Sequence, residues 1–249
     1  MKAIGIIPAR MASSRYPGKP LVKILGKPMI EHVYRRCLAC PGLDEVIIAT
    51  CDEEIRSAAE AFGAPVAMTS DRHDRASDRI AEAAEQTDAD VVVLIQGDEP
   101  MTHPDMITQA LAPYRDGPGP ACVNLTLPIT DREEFENPNT IKVVIAKDGK
   151  ALFMTRQPIP HKGLNPANGI YGHKQVCIIP FRRDALMLYA GMEQSPLEIA
   201  ESVDMNRFLE NGIEVVMVPT DRQTHAVDNA ADRDRVEQLL AADPYTKTY

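Results

Sequence analysis

No apolar run in the 249-residue chain approaches the roughly 18 residues that span a bilayer. The first ten residues, Met1 to Arg10, have neither the long apolar stretch nor the small-residue cleavage site of a signal peptide. They read instead as a strand running into a loop. Positive charge is in deficit: 27 Lys and Arg stand against 36 Asp and Glu, a formal net charge of −9. That balance argues against non-specific nucleic-acid binding and against docking on anionic membranes. An anionic substrate therefore needs a local basic pocket. Cysteine is sparse and odd in number, with Cys37, Cys40, Cys51, Cys122 and Cys177, which points to a reducing, cytoplasmic setting. Cys37 and Cys40 form a C-x-x-C, but no second pair stands at zinc spacing. They lie on an apolar helical face that stops at Pro41-Gly42, so core packing is the expectation.

What is present is ordinary globular material, 44% apolar and 25% charged, enough for a sizeable core. Ala3 to Ile7 reads as a buried strand. Pro28 suits the first turn of a helix carrying Met29, Ile30, Val33, Tyr34, Cys37 and Leu38. Glu45 to Thr50 is the next strand, and Asp52 is placed to cap a helix bearing Ile55, Ala59 and Phe62. Val66 to Met68 is a short strand, and Ser77 is placed to cap the helix of Ile80, Ala81 and Ala84. Val91 to Ile95, apolar without alternation, reads as a central parallel strand. This order predicts an α/β fold with a doubly wound, mostly parallel sheet. Its ligands belong outside the carboxyl ends of the strands.

The second half reads differently. Strands are expected at Val123 to Leu127, Ile141 to Ala146, Ala151 to Met154 and Gly169 to Ile179, with Asp148-Gly149 as a hairpin turn. Helices follow near 181–191 and 197–210, then a strand at 213–218 and a last helix near 231–241. Residues 1–249 thus read as a single domain, and about 120–180 as an antiparallel extension within it.

Chemistry concentrates after the first strand, in Pro8-Ala9-Arg10-Met11-Ala12-Ser13-Ser14-Arg15-Tyr16-Pro17-Gly18-Lys19-Pro20. Small residues let backbone N–H groups approach a ligand, Ser13 and Ser14 add hydroxyls, and Arg10, Arg15 and Lys19 supply positive charge. Together they suit a triphosphate. The loop has neither Walker A nor dinucleotide glycine spacing. Gln96-Gly97-Asp98-Glu99-Pro100 follows the clearest strand, and a carboxylate at such a strand end suits Mg²⁺. Asp228 is a second, distant carboxylate for the same ion, or a helix cap. Asp71 to Arg79 reads as a base- or phosphate-contacting segment, or as a solvated loop with a cap. His32 and His103 fall at or near helix starts, and His161, His173 and His225 share no metal spacing.

Ile7-Pro8-Ala9-Arg10 with Ser13-Ser14-Arg15-Tyr16-Pro17-Gly18-Lys19-Pro20-Leu21, together with Gln96-Gly97-Asp98-Glu99-Pro100, resembles the cytidylyltransferases acting on sugar acids. The branch it resembles most is the 3-deoxy-manno-octulosonate (Kdo) cytidylyltransferases, which serve lipopolysaccharide synthesis. Gly26-Lys27-Pro28-Met29-Ile30, Asn137-Pro138-Asn139, Gly169-Ile170-Tyr171-Gly172, Ser195-Pro196-Leu197-Glu198 and Val227-Asp228 extend the likeness over most of the chain. The resemblance implies a nucleotidyltransferase-type fold, Mg²⁺ dependence and a homodimer. It places Ala9, Arg10, Ser13, Arg15 and Lys19 on CTP, with Arg75, Ser77, Arg79 and Gln96 near the cytidine. It makes Lys19, Arg15 and Asp98 catalytic, gives Mg²⁺ to Asp98 and Asp228, and puts Arg156, Tyr171 and Asp204 on the acceptor side.

The departures from the family pattern fall largely on that acceptor side. Arg75-Ala76 stands where the family has Ser-Gly, Ala167 where it has His, and Asp204-Met205-Asn206-Arg207 where it has Glu-Gln-Leu-Arg. Pockets that read hydroxyls discriminate strongly, because each unmet buried polar group costs about 1–3 kcal/mol. Two acceptors therefore stay open: Kdo, or a different anion such as a modified Kdo, a small phosphonate or a carboxylate. A nucleotide-binding regulator without catalysis is disfavoured by the retained Asp98 and Asp228.

Overall fold

The computed structural model describes residues 1–12 and 16–249. In chain order its elements begin with β1 (Ala3–Ala9), the short β2 (Lys23–Ile24) and β3 (Lys27–Pro28), then α1 (Met29–Leu38) and β4 (Glu45–Thr50). There follow α2 (Glu53–Ala61), β5 (Val66–Met68), α3 (Ala76–Glu85), β6 (Val91–Ile95) and α4 (Pro104–Leu111). The next part holds β7 (Cys122–Ile129), α5 (Arg132–Glu136), β8 (Lys142–Ile145), β9 (Ala151–Thr155), β10 (Gly172–Val176) and β11 (Ile178–Arg182). It closes with α6 (Arg183–Ala190), α7 (Pro196–Glu201), α8 (Asn206–Glu210), β12 (Val215–Pro219) and α9 (Ala230–Ala242). Contacts divide the chain into one unit of Met1–Thr108 with Arg222–Tyr249 and another of Gln109–Asp221.

In the first unit, β5, β4, β1 and β6 lie side by side in that order, all parallel. Ile6 is in register with Ile47 on one side and Leu94 on the other. Every residue of β6 is buried, as an apolar strand without alternation requires when both faces are covered. α1 packs Met29, Ile30, Val33 and Cys37 into the core, Cys40 just beyond it is buried too, and both cysteines are free. Burial pushes the Cys37 thiol well above its ordinary value, so it is inert packing rather than redox chemistry. A second cluster of Ile24, Met29, Val227, Val236 and Leu240 fixes α9 against this unit. Arg36, almost fully buried, sits beneath the rings of Tyr245 and Tyr249 and pairs with Asp243. One of its NH groups reaches the Thr102 carbonyl, on the stretch that follows Asp98.

In the second unit β7 is the central strand. It runs antiparallel to β10, with Leu127 opposite Lys174, and antiparallel to β11, with Cys122 opposite Phe181. β12 pairs with it in parallel, Met217 beside Asn124. β8 joins β10, and β9 joins β8 through the turn at Asp148-Gly149. Gly149 takes φ 86° there, the left-handed region that glycine enters freely. The α/β class and the antiparallel character of the later strands are therefore as the sequence implies.

Several local expectations change. The strand expected over 169–179 is two strands, β10 and β11, separated at Cys177. There the Asn124 side-chain amide donates to the Val176 carbonyl at 2.8 Å, an interaction no period-two pattern announces. The helix expected over 197–210 is α7 and α8, because Ser202 adopts left-handed φ 53°, ψ 50°. The helix expected from 181 begins at Arg183, since Phe181 and Arg182 belong to β11. Asp52 stands at the N-cap of α2 but makes no side-chain capping bond. Ser77 does not cap α3 either: the helix starts at Ala76, with Arg75 at the N-cap. The cap of α9 is Asn229, in a reciprocal box with Asp232, rather than Asp228.

Candidate active site

β1 and β6 are adjacent and parallel, so the segments that leave their carboxyl ends leave together. Gly97 makes that approach possible: a Cβ there would stand 3.0 Å from the Pro8 carbonyl oxygen. A pocket of about 290 Å³ opens at this point within the first unit. Its walls include Ala9, Arg10, Lys19, Arg75, Arg79, Gln96 and Asp98, all named from the sequence. They also include His73 and Asp74, which carry no separate role in the sequence reading. Ser77 is fully buried in the first turn of α3 instead. Ser13 and Arg15, two of the phosphate-loop expectations, lie outside the described residues.

The loop's placement has a local cause. The backbone N–H of Met11 donates to Asp52 Oδ2 at 2.8 Å, which ties the start of the loop to the carboxyl end of β4. Gly18, at φ 70°, then turns the chain into the 3-10 turn Lys19–Leu21. The Lys19 N–H donates to the Tyr16 carbonyl and the Val22 N–H to the Lys19 carbonyl, at 3.1 and 3.2 Å. From the sequence Asp52 is expected only as a cap. Its position just past a strand's carboxyl end was the available signal for a site-organising role.

The Lys19 ammonium lies 2.6 Å from Asp98 Oδ2 and 3.3 Å from Asp228 Oδ1. The carboxylates are far apart in the sequence, yet both reach one cation. A backbone bond explains their pairing: the Val227 N–H donates to the Asp98 carbonyl at 2.9 Å. Asp228 is braced further through its own N–H, which donates to Asp232 at 3.0 Å. Two carboxylates with substrate phosphates form a suitable donor set for Mg²⁺. Both aspartates converge on a single positive charge, so the two carboxylates can face one cation. Among the described residues there is no cluster of three or more His, Cys, Asp or Glu that could hold a metal alone.

The opposite wall is a braced segment at the amino end of α3. Arg79, 3% exposed, donates to Thr69 Oγ1 at 2.5 Å and to the Ser70 carbonyl at 3.2 Å. His73 pairs with Glu82, and Glu82 also accepts the Ser70 N–H at 2.9 Å. Burial opposes ionisation of Glu82, but the Ser70 and His73 hydrogen bonds outweigh it and hold its carboxyl below the usual value. The segment thus presents Arg75 and the first turn of α3 to the pocket, and helix N-terminal N–H groups favour an anion.

The residues expected on the acceptor side all belong to the second unit. Arg156 donates to the carbonyls of Glu201, Pro138 and Ser202, at 2.7, 3.0 and 3.2 Å. Its guanidinium therefore cross-links the Asn137-Pro138-Asn139 turn to the end of α7. Tyr171 packs its ring 5.9 Å from that of Phe135. Asp204 is half-buried between α7 and α8, with its carbonyl accepting the Arg207 N–H.

A parallel sheet with a cationic loop and an acidic motif at its strand ends defines a nucleotidyltransferase-type α/β protein. The sequence model described as "Cytidylyltransferase" matches residues 4–216. A 3-deoxy-manno-octulosonate cytidylyltransferase of Geobacter metallireducens is 40% identical over 250 residues, covering 97% of this chain and 98% of that protein. One of Nitratidesulfovibrio vulgaris is 42% identical over 243 residues, 95% of each. Among solved structures, a CMP:2-keto-3-deoxy-manno-octonic acid synthetase complexed with CTP superimposes with a TM-score of 0.89 at 38% identity, covering 97% and 99% of the two chains. The 4-diphosphocytidyl-2C-methyl-D-erythritol synthase of Anaerococcus prevotii shares the fold, with a TM-score of 0.65 at 14% identity over 96% of each chain. The chain belongs to the 3-deoxy-manno-octulosonate cytidylyltransferase family.

Proposed function

We propose that this protein transfers CMP from CTP to Kdo and releases pyrophosphate. The observation that carries the proposal is the convergence of Lys19 with Asp98 and Asp228 beside the basic pocket, in a chain of this family. An acceptor hydroxyl attacks the α-phosphorus of CTP; the new P–O bond forms as the bond to the β-phosphate oxygen breaks. Such transfers need positioning and charge neutralisation above all.

The pocket residues supply both. Arg10 and Lys19 hold the triphosphate, with Ser13 and Arg15 assigned to the same task by their place in the family motif. Lys19 and Arg15 offset negative charge as it gathers on the departing pyrophosphate. Gln96, Ala9 and the Arg75 to Arg79 segment, Ser77 included, enclose the cytidine. Mg²⁺ held by Asp98 and Asp228 would polarise the α-phosphate. Arg156, Tyr171 and Asp204 are assigned to the acceptor, Arg156 chiefly by ordering the 137–139 turn. We assign the protein to the cytoplasm as a homodimer; its cysteines are free thiols, as a reducing compartment leaves them. Among the described residues no helix is long and apolar enough to cross a membrane.

The test is pyrophosphate release from CTP with Kdo, other 3-deoxy sugar acids and small phosphonates, with the product identified by mass. Formation of CMP–Kdo is expected. Because Arg75 stands in the pocket wall, the phosphonate arm also asks whether a more anionic acceptor is preferred. Turnover with a phosphonate and none with Kdo would overturn the acceptor assignment.

A further inference from the structure

We propose that Lys19 is a built-in stand-in for the divalent cation. In the nucleotide-free protein its ammonium holds the position between Asp98 and Asp228, and the metal enters as a triphosphate draws the lysine away. This rests on the site proposed above and adds an order to its loading.

The geometry supports exchange at a preformed place. Asp98 and Asp228 are fixed through the main chain, by the Val227 N–H on the Asp98 carbonyl and the Asp228 N–H on Asp232. Their backbones are therefore held together by bonds that do not involve the cation between the carboxylates. Two carboxylates this near repel each other, and the ammonium at 2.6 and 3.3 Å removes that repulsion. The three side chains are 14%, 28% and 27% exposed, so water screens the contacts only in part. A divalent ion cannot share the place with the ammonium, because like charges a few ångströms apart repel strongly at such depth.

Lys19 is also built to leave. Its backbone is anchored on both sides by the 3-10 turn, so only side-chain torsions need change. It lines the same pocket as Arg10 and Arg75, where phosphate oxygens would offer a competing anion. Metal and triphosphate must then favour each other's binding, since each removes an obstacle to the other. The device offsets part of the acidic pair's charge when the site is empty and disfavours metal held without nucleotide.

The test uses Mn²⁺ alone, with no nucleotide, and counts free ion by its EPR signal. Lys19→Met should bind Mn²⁺ on the order of 10-fold more tightly than the unsubstituted protein, because a competing charge is gone. Adding Asp98→Asn to Lys19→Met should abolish the gain, which locates the ion. Lys19→Gln, polar and uncharged, provides the same comparison should the methionine variant fold poorly; circular dichroism verifies each fold. Equal or weaker Mn²⁺ binding by the folded Lys19 variants would overturn the proposal, as would a gain that survives Asp98→Asn. CMP transfer by the unsubstituted protein is measured separately, so failure of the stand-in and failure of the proposed reaction are distinct results.

Discussion

The carbonyl of Asp98 accepts the backbone N–H of Val227 at 2.9 Å. Through this bond a residue after β6 and one shortly before α9 form a single acidic pair. The Val227 side chain is fully buried with Ile24, Met29, Val236 and Leu240, so the same residue aligns the site and fills the core. Val227→Ala removes two methyl groups from that cluster and should cost about 2 kcal/mol of stability. It should also lower turnover at temperatures where the fold is intact, because the Asp228 end is less firmly held. Denaturant titration and initial rates on the same preparation check both parts.

Asp52 tethers the start of the phosphate loop through Met11. Asp52→Ala leaves that N–H without its acceptor, a change worth about 1–3 kcal/mol. The expected outcome is a rise in KM for CTP of roughly 10-fold, the kinetic equivalent of a change in the lower part of that range. Asp52→Asn retains a carbonyl oxygen and should recover most of the loss. Steady-state kinetics in CTP distinguishes the variants.

Glu198 and Arg207 form an ion pair at 2.7 Å with side chains 0% and 2% exposed. The Arg207 guanidinium also lies 3.9 Å from the centre of the Tyr189 ring. Removing one partner strands a buried charge, so Arg207→Met should destabilise the protein by about 3–5 kcal/mol. Glu198→Leu combined with Arg207→Met should restore much of that, since no lone charge is then buried. Equilibrium unfolding of the single and double variants measures the difference.

His32 is 1% exposed. Its Nε2–H donates to the Ile24 carbonyl at 2.8 Å, which leaves Nδ1 to accept from the Tyr249 hydroxyl at 3.1 Å. Burial lowers its pKa from the ordinary 6.5, outweighing the Ile24 hydrogen bond, and Lys27 and Arg36 lower it further. The unfolded chain therefore binds a proton at a higher pH than the folded one. His32 thus opposes folding increasingly as pH falls below about 6.5, and stability rises with pH through that interval. His32→Asn should lessen the loss in Tm between pH 7 and pH 5, as differential scanning calorimetry would show.

The alternation of buried strands with amphipathic helices in the first unit was legible because one period signals each element. β6 is the clearest case, and its acidic motif lies at the strand end where topology places ligands. Asp98 and Lys19 could be named for the same reason: each lies on the segment that leaves a strand's carboxyl end. The breaks at Cys177 and Ser202 were not legible: the first lies beside a hydrogen bond from a distant Asn124 amide, and the second is a left-handed backbone at a non-glycine residue. Asp228 was weak as a sequence signal because its pairing with Asp98 is made by the Val227 main chain. Asp52 was hidden for a similar reason: a carboxylate before a helix suggests a cap, whereas its acceptor is used on another loop.

Lys19 is the point at which the phosphate loop meets the acidic pair, so its removal bears most directly on the account. Pyrophosphate release from CTP and Kdo should fall by about 10²–10³-fold in Lys19→Ala, the scale of losing one preorganised charge-stabilising group, while circular dichroism and Tm remain near those of the unsubstituted protein. Turnover close to the original in the folded variant would contradict the assignment of Lys19 to the transferring phosphates.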